Sequence, residues 1–347
     1  MTDEDAAVSA APDGPPTSRS PVIKDVAREA GVSPMAVSRA LGDGKGVRPE
    51  VREHVLEVAA RLGYRRNENA RSIRPGHTSG LIGVAITHIN NPYYGNVVLG
   101  IEDAVGAVGK RILLGTTGED PVREAQLVSD LMGRQVEGLI VVPSGGEAEH
   151  LRSPQLLRTP LVLASRQLEG IETDAVVVDD VGGAIAGVDA ALDRGLHRIA
   201  YLGYAASTFT GERRFSGFRQ ALARRAVPLD DGLVRRDLHD IASARRAAGD
   251  LLDLPTPPDA IFCANNRSAV GALEEIGARR RKGRIELPAI VSFDRFELAD
   301  LMPIPVVIID HDGRELGRQA GQLLLERLAG TAPDGPRRVE IPAVVRG

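Results

Sequence analysis

From Leu81 onward the chain alternates short, wholly apolar segments with longer amphipathic ones, and this alternation constrains the fold more than any other feature. LIGVAI, RILLG, GLIVV, LVLA, AVVV, RIAYLG, DAIFCA and AIVSF follow one another in that order. Between them lie helical patterns such as Val97 to Val108, Val122 to Arg134, Val181 to Asp193 and Arg213 to Arg225. A strand without polar alternation is buried on both faces, and parallel strands joined by crossover helices bury both. So many strands require two doubly wound parallel sheets, hence two α/β lobes. Ligand is then expected at the carboxyl ends of the strands, in the cleft between the lobes. The first strand runs into NNPYYGN, with no GxGxxG or Walker loop, which argues against a dinucleotide or a nucleoside triphosphate.

A different period governs the region before this. In Val22 to Leu41, VIKDVAREAGVSPMAVSRAL, the residues Ile23, Val26, Ala27 and Ala30 fall at i, i+3, i+4 and i+7, one face of a helix. Gly31 supplies a left-handed stop. Ser33 stands at the N-cap of a second helix and Pro34 at its first position, where a missing amide costs nothing. Val37, Ala40 and Leu41 face inward, while Met35, Ser38 and Arg39 look outward. A third helix, opened by Pro49 and closed by Gly63, repeats apolar residues at Val51, Val55, Val58, Ala59 and Leu62. The spacing predicts a small all-α helix-turn-helix headpiece over residues 21–66, whose second helix suits the major groove of DNA.

With 347 residues the chain can hold a headpiece and two ordinary lobes. The net charge of −4 is unevenly spread. Arg19 to His77 carries twelve Lys/Arg against seven Asp/Glu, a net of +5 that leaves −9 for the remainder. Arg39, Lys45, Arg48, Arg65, Arg66, Arg71 and Arg74 are thus candidate phosphate or groove contacts. No apolar run reaches the ~20 residues of a membrane helix. Residues 1–20 lack a basic start and an apolar centre, so they read as a disordered tail and not as a signal peptide. Cys263 is the single cysteine, which excludes an internal disulfide and a cysteine zinc site. A cytoplasmic protein follows as the default.

The segments IKDVAREAGVS, VSRAL, RPEVREHVLEVAARLGY and NENARSI come in the order and spacing of the headpiece of the lac repressor and gal repressor family of bacterial transcriptional regulators, which this region resembles. INNPYYGNVVLGIEDAV, RQVEGLIVVP, GERRFSGFRQAL, PPDAIFCANNRSAVGAL and ELGRQAGQLLLERLAG extend the resemblance to the family's core, itself similar to periplasmic sugar-binding proteins. The resemblance implies a homodimer that binds a palindromic double-stranded operator under control of a small molecule. It implies a hinge over 67–78 that folds on DNA, with Asn67 and Arg71 as contacts and Ile73 as a wedge for the minor groove. It implies an effector core over 79–347 whose chain crosses between lobes near 178–180, 311–313 and 335–339. The first lobe would then hold about 79–178 and 312–337, the second about 179–311 and 338–347.

For DNA, Arg39 can pair both nitrogens with guanine O6 and N7, Pro34 and Met35 offer apolar contact to a thymine methyl, Ser33 suits a phosphate, and Ser38 shares the outward face. For the effector, the resemblance carries over Tyr93, Tyr94, Arg166, Arg214, Asn265 and Asp294. Aromatic faces stack on a ring, while arginine, asparagine and aspartate bind hydroxyls in a dry cleft. The sequence also departs from the family. Val22 and Ala36 stand where threonine is usual, Asn266 replaces the aspartate of the AND motif, Arg295 follows Asp294 where a second acid is common, and Leu238 replaces an aromatic. No tryptophan is present to stack on a pyranose. A sugar is the first expectation, and two arginines with less acid leave room for a sugar phosphate or sugar acid.

Two other functions share parts of this pattern. A transporter's solute-binding protein would share the lobes but would need a secretion signal and no helix-turn-helix. An enzyme would need a nucleophile elbow, metal-ligand spacing or a carboxylate pair, and none stands out; His88, His197, His239 and His311 are scattered. No catalytic residue, cofactor or metal is implied.

Overall fold

The computed structural model describes residues 20–42, 44–64, 79–146, 148–153, 158–204, 207–283, 287–297, 299–301 and 304–346. The tail expected over 1–20, save its last residue, and the hinge expected over 67–78, with Asn67, Arg71 and Ile73, lie outside the described residues. The chain divides into two units, residues 1–77 and 78–347.

In the first unit, α1 (Ile23–Glu29), α2 (Pro34–Ala40) and α3 (Pro49–Arg61) close around Val26, Ala27, Ala30, Val37, Ala40, Val55, Val58 and Ala59. Val26, Val37 and Val55 are wholly buried, each contributing about 1.5–3 kcal/mol relative to exposure. Gly31 adopts φ +66°, a backbone that favours glycine, and lets the Val32 amide donate to the Ala27 carbonyl at 3.0 Å. Ser33 Oγ caps α2 by accepting the Ala36 amide at 3.2 Å. Val22 offers no cap for α1; instead the Asp25 carboxylate accepts the Val22 amide at 2.9 Å. Arg52 donates to the Ala40 carbonyl at 3.3 Å, and Arg61 pairs with Glu29 at 2.9 Å, bracing α3 against both short helices.

The second unit holds two six-stranded sheets. One contains β1 (Leu81–Ile86), β2 (Arg111–Thr116), β3 (Gly138–Val141), β4 (Leu161–Ser165), β5 (Asp174–Val178) and β11 (Arg338–Ile341), in the order β11-β5-β4-β3-β1-β2, all parallel. The other contains β6 (Ile199–Leu202), β7 (Val234–Arg235), β8 (Ala260–Cys263), β9 (Ala289–Phe293), β10 (Val306–Asp310) and β12 (Val344–Arg346), in the order β12-β10-β9-β8-β6-β7. Only β12 runs antiparallel, along β10. The first sheet is covered by α4 (Pro92–Gly106), α5 (Pro121–Gly133) and α10 (Gly313–Ala329), the second by α6 (Asp180–Leu192), α7 (Phe209–Arg224), α8 (Ile241–Leu252) and α9 (Asn266–Arg281). Two doubly wound lobes result. Among the described residues no helix is long and apolar enough to cross a membrane.

The helices α4 and α10 touch backbone to backbone. A Cβ on Gly100 would lie 1.9 Å from the Arg314 carbonyl oxygen, and one on Gly317 would lie 1.9 Å from that of Val97. Pro92 opens α4 a few residues past the carboxyl end of β1.

The last crossing between lobes differs from the expectation of 335–339, with 338–347 in the second lobe. β11 completes the first sheet, Val339 standing opposite Val176, so the chain crosses at Pro342 and Ala343 and only β12 joins the second lobe. Asp174 supplies the reason. Its buried carboxylate accepts the Arg337 amide at 2.7 Å, the Arg337 guanidinium at 2.9 Å, and Arg327 at 2.8 and 3.0 Å. Burial raises this carboxyl's pKa, but the two guanidiniums outweigh burial and bring it to about 2.

Candidate functional site

In the headpiece unit the outward side of α2 is the candidate DNA face. Ser33, Pro34, Met35 and Arg39 are exposed, Ser38 is half-buried, and Val37 and Ala40 are inside. Met35 is 63 % exposed, an unusual position for a large apolar side chain that has no partner groove of its own. The Ser33 oxygen is already used as the cap acceptor, so only its O–H remains to give to a phosphate.

In the second unit five of the six predicted effector residues join in one chain of contacts across the cleft, and Asn265 adjoins it only through the backbone. The Arg166 guanidinium lies 3.5 Å from the Tyr94 hydroxyl, and the Tyr94 and Tyr93 rings are 5.0 Å apart. Tyr93 donates to Ser165 Oγ at 2.9 Å and meets the His311 ring at 5.1 Å, edge on. His311 Nε2 lies 2.7 Å from Asp294 Oδ1, and Asp294 sits 3.3 Å from Arg214. Arg214 in turn donates to the Ala264 carbonyl at 2.6 Å, next to Asn265. Asn265 caps α9, its Oδ1 accepting the Ser268 amide at 2.8 Å.

The local backbone is bent to aim these groups. Glu119, Ser165 and Asp294 take left-handed φ of 63°, 66° and 67°, each at or just past the carboxyl end of a strand. Non-glycine residues in this region cost about 1–3 kcal/mol and collect where function requires them.

Neither buried arginine is a free cation. Arg166 pairs with Glu119 at 2.5 Å and donates to the Pro143 carbonyl at 3.0 Å. Arg214 donates to Asp180 at 2.7 Å, pairs with Asp294, and lies 3.7 Å over the Phe293 ring. Burial raises the pKa of Asp180 despite the Arg214 charge. Burial also raises that of Asp294, but the Arg214 charge and the His311 hydrogen bond outweigh it and leave it at about 2. Three carboxylates thus face two guanidiniums.

Five buried polar atoms here have no partner: Thr87 Oγ1, Arg166 Nε, Asp180 Oδ2, Asn265 Nδ2 and His311 Nδ1. They follow the carboxyl ends of β1, β4, β5, β8 and β10, so both lobes contribute. An unmet buried polar group costs about 1–3 kcal/mol, which makes this zone the place where a polar ligand would be gained. Beside it, an opening of about 890 Å³ is lined by Pro143, Gly145, Arg166 and Gln167 from the first lobe and by Ser207, Thr208, Phe209 and Arg213 from the second. A cavity of about 750 Å³ at the amino ends of β4 and β5 is lined by Arg152, Arg158 and Arg327, of which Arg327 is taken by Asp174 and the Pro333 carbonyl and Arg152 by the Glu169 and Gly170 carbonyls.

Sequence reasoning missed Glu119, Asp180, Thr87 and the role of His311. A signal existed for two of them: Asp180 and His311 stand at the expected crossings near 178–180 and 311–313, and a crossing strand lies in the cleft by construction. Of the departures, Arg295 is exposed and pairs with Asp300 away from the cleft, Leu238 is buried in the second lobe's core, and Asn266 bonds Asn91. Among the described residues no group of His, Cys, Asp and Glu is placed to hold a metal ion.

Residues 22–67 match bacterial regulatory proteins of the lacI family, and residues 79–346 match the periplasmic binding proteins and sugar binding domain of LacI family. The chain is 29% identical to the HTH-type transcriptional regulator DegA of Bacillus subtilis (strain 168), over 92% of this chain and 93% of that one. It is 27% identical to the HTH-type transcriptional repressor CytR of Escherichia coli (strain K12), over 94% and 95% respectively. A solved structure of a transcriptional regulator CelR-cellobiose complex is similar with a TM-score of 0.68 and 25% identity, covering 94% of this chain and 98% of that one.

Proposed function

The chain belongs to the lacI family of bacterial regulatory proteins, a DNA-binding regulator and not an enzyme, and on that premise we propose that it is a repressor controlled by a neutral, sugar-like effector. The repressor binds a palindromic operator as a homodimer, because one small headpiece reads too few base pairs and a twofold pair doubles the site. The outward face of α2, with Arg39 in its last turn, reads the major groove. Asn67, Arg71 and Ile73 form the hinge contacts on sequence grounds.

One observation carries the effector reading: five unmet polar atoms follow the carboxyl ends of strands from both lobes. The set mixes donors (Arg166 Nε, Asn265 Nδ2), an acceptor (Asp180 Oδ2) and groups able to do either (Thr87, His311), which is the complement of a polyhydroxylated molecule. Tyr93 and Tyr94 add apolar faces. The charge balance favours a neutral ligand over a sugar acid or phosphate, since Glu119, Asp180 and Asp294 already neutralise Arg166 and Arg214. A sugar-bound relative, the CelR-cellobiose complex, is consistent with that class.

A thermal-shift screen of the full chain against neutral mono- and disaccharides, sugar acids, sugar phosphates and purines tests this. A ligand at 100 times its Kd adds about 2.7 kcal/mol of apparent stability. Neutral sugars should give the shift. A shift from sugar phosphates alone would reverse the charge argument, and none from any class would remove the sugar reading.

A further inference from the structure

The two lobes are joined across the cleft by a side-chain pair that uses no ligand. Asn266 Nδ2 donates to Asn91 Oδ1 at 2.8 Å, and Asn91 Nδ2 donates back to Asn266 Oδ1 at 3.4 Å. Both residues are buried, 7 % and 4 % exposed. Asn91 is the N-cap of α4 in the first lobe, and Asn266 is the first residue of α9 in the second.

The orientation of the pair is determined by the cap. Asn91 Oδ1 also accepts the Tyr93 amide at 3.1 Å, so its amide cannot flip without uncapping α4. Its partner must therefore donate to that oxygen and accept from the nitrogen. Asparagine does both; aspartate accepts only. The pair is thus specific to the residue found at 266, and being uncharged it needs no counterion when buried.

Its position gives it leverage. The two residues after Asn91 and Pro92 are Tyr93 and Tyr94, and the residue before Asn266 is Asn265, whose Nδ2 is among the unmet cleft donors. The geometry points to Asn91–Asn266 as an interlobe latch that holds the N-termini of α4 and α9 together and sets the spacing between Tyr93, Tyr94 and Asn265. Asn266 is in this sense a positioning residue. The link to effector binding rests on the function proposed above, while the latch itself does not.

The test uses the full chain with spin labels on Val122→Cys in α5 and Leu301→Cys in the second lobe, both more than 70 % exposed at 78 % and 74 %. Cys263 is buried and stays unlabelled. Distance distributions from double electron–electron resonance are compared in four backgrounds: the parent, Asn266→Ala, Asn266→Asp, and Asn91→Asp with Asn266→Asp. Asn265 caps α9, so Asn266→Ala leaves that cap in place. Loss of both bonds should raise the open population about thirtyfold in Asn266→Ala, taking about 1 kcal/mol per net hydrogen bond. Asn266→Asp keeps one bond and should fall between. Measured at about pH 9, where both carboxyls are ionised, the double variant sets two acceptors face to face and should open furthest, while keeping the α4 cap through its Oδ. Distributions in Asn266→Ala and the double variant that superimpose on the parent would overturn the latch; should Asn266→Ala fail to fold, the double variant alone decides. Opening in these variants together with no thermal shift from any sugar would leave the latch standing and sink the effector reading.

Discussion

Replacing Arg214 by methionine separates what this guanidinium does for the fold from what it does for a ligand. Methionine keeps an apolar stem over Phe293 but removes every donor. Asp180 and Asp294 are then left buried, with the Ala264 carbonyl unmet. Breaking a buried ion pair from one side costs about 3–5 kcal/mol. At about 2–4 °C per kcal/mol, that corresponds to a fall in melting temperature of about 6–20 °C. The pH dependence gives a second handle. Asp294 is held at about 2 in the fold against an ordinary aspartate value near 3.8. A depressed carboxyl contributes stability that is complete above the unfolded value and is lost as pH falls through the folded one. The contribution is on the order of 2 kcal/mol, lost between about pH 5 and pH 2. In Arg214→Met the chief charge lowering Asp294 is gone and both carboxylates gain from protonation. The gap between parent and variant should therefore narrow as pH falls from 7 to 4. Urea unfolding of the full chain at both pH values measures it. A cost under 1 kcal/mol at pH 7, or a gap that does not change with pH, would refute the ion-network account.

Arg39→Ala should weaken binding to a duplex selected from a random palindromic library by about 1–3 kcal/mol and relax preference at one guanine per half-site; unchanged affinity for every half-site sequence would remove Arg39 as a reader. Ile73→Ala, proposed on sequence grounds, should keep half-site preference but lose most of the DNA bend seen by fluorescence transfer between end-labelled dyes; wild-type bending would end the wedge reading. Gly317→Ala should destabilise the second unit by about 1–3 kcal/mol, because its Cβ meets the Val97 carbonyl and backbone cannot step aside; calorimetry showing a parent-like melting temperature would mean that α4 and α10 are less tightly apposed.

Local pattern was enough for the elements. Eight apolar runs became eight strands because an unbroken apolar segment reports burial on both faces wherever it lies. The helix-turn-helix was legible for the same kind of reason: Gly31, Ser33 and Pro34 act on their immediate neighbours, and the inward residues share one face. The six effector positions came from the family resemblance, and the fold brings five of them into one chain of contacts, with Asn265 beside it in sequence. What periodicity does not carry is the partner of a polar group. Arg166 and Arg214 looked like cations available to an anion until the fold set Glu119, Asp180 and Asp294 against them. Asn266 looked like a lost aspartate until it met Asn91, 175 residues away in sequence. The final crossing moved to Pro342 and Ala343 because Asp174 binds Arg327 and Arg337 from segments more than 150 positions further on. Hydrophobic burial is a property each residue brings with it, whereas a hydrogen bond or ion pair belongs to two residues at once. Which two they are depends on the path of every loop between them, and that is decided only when the lobes have closed.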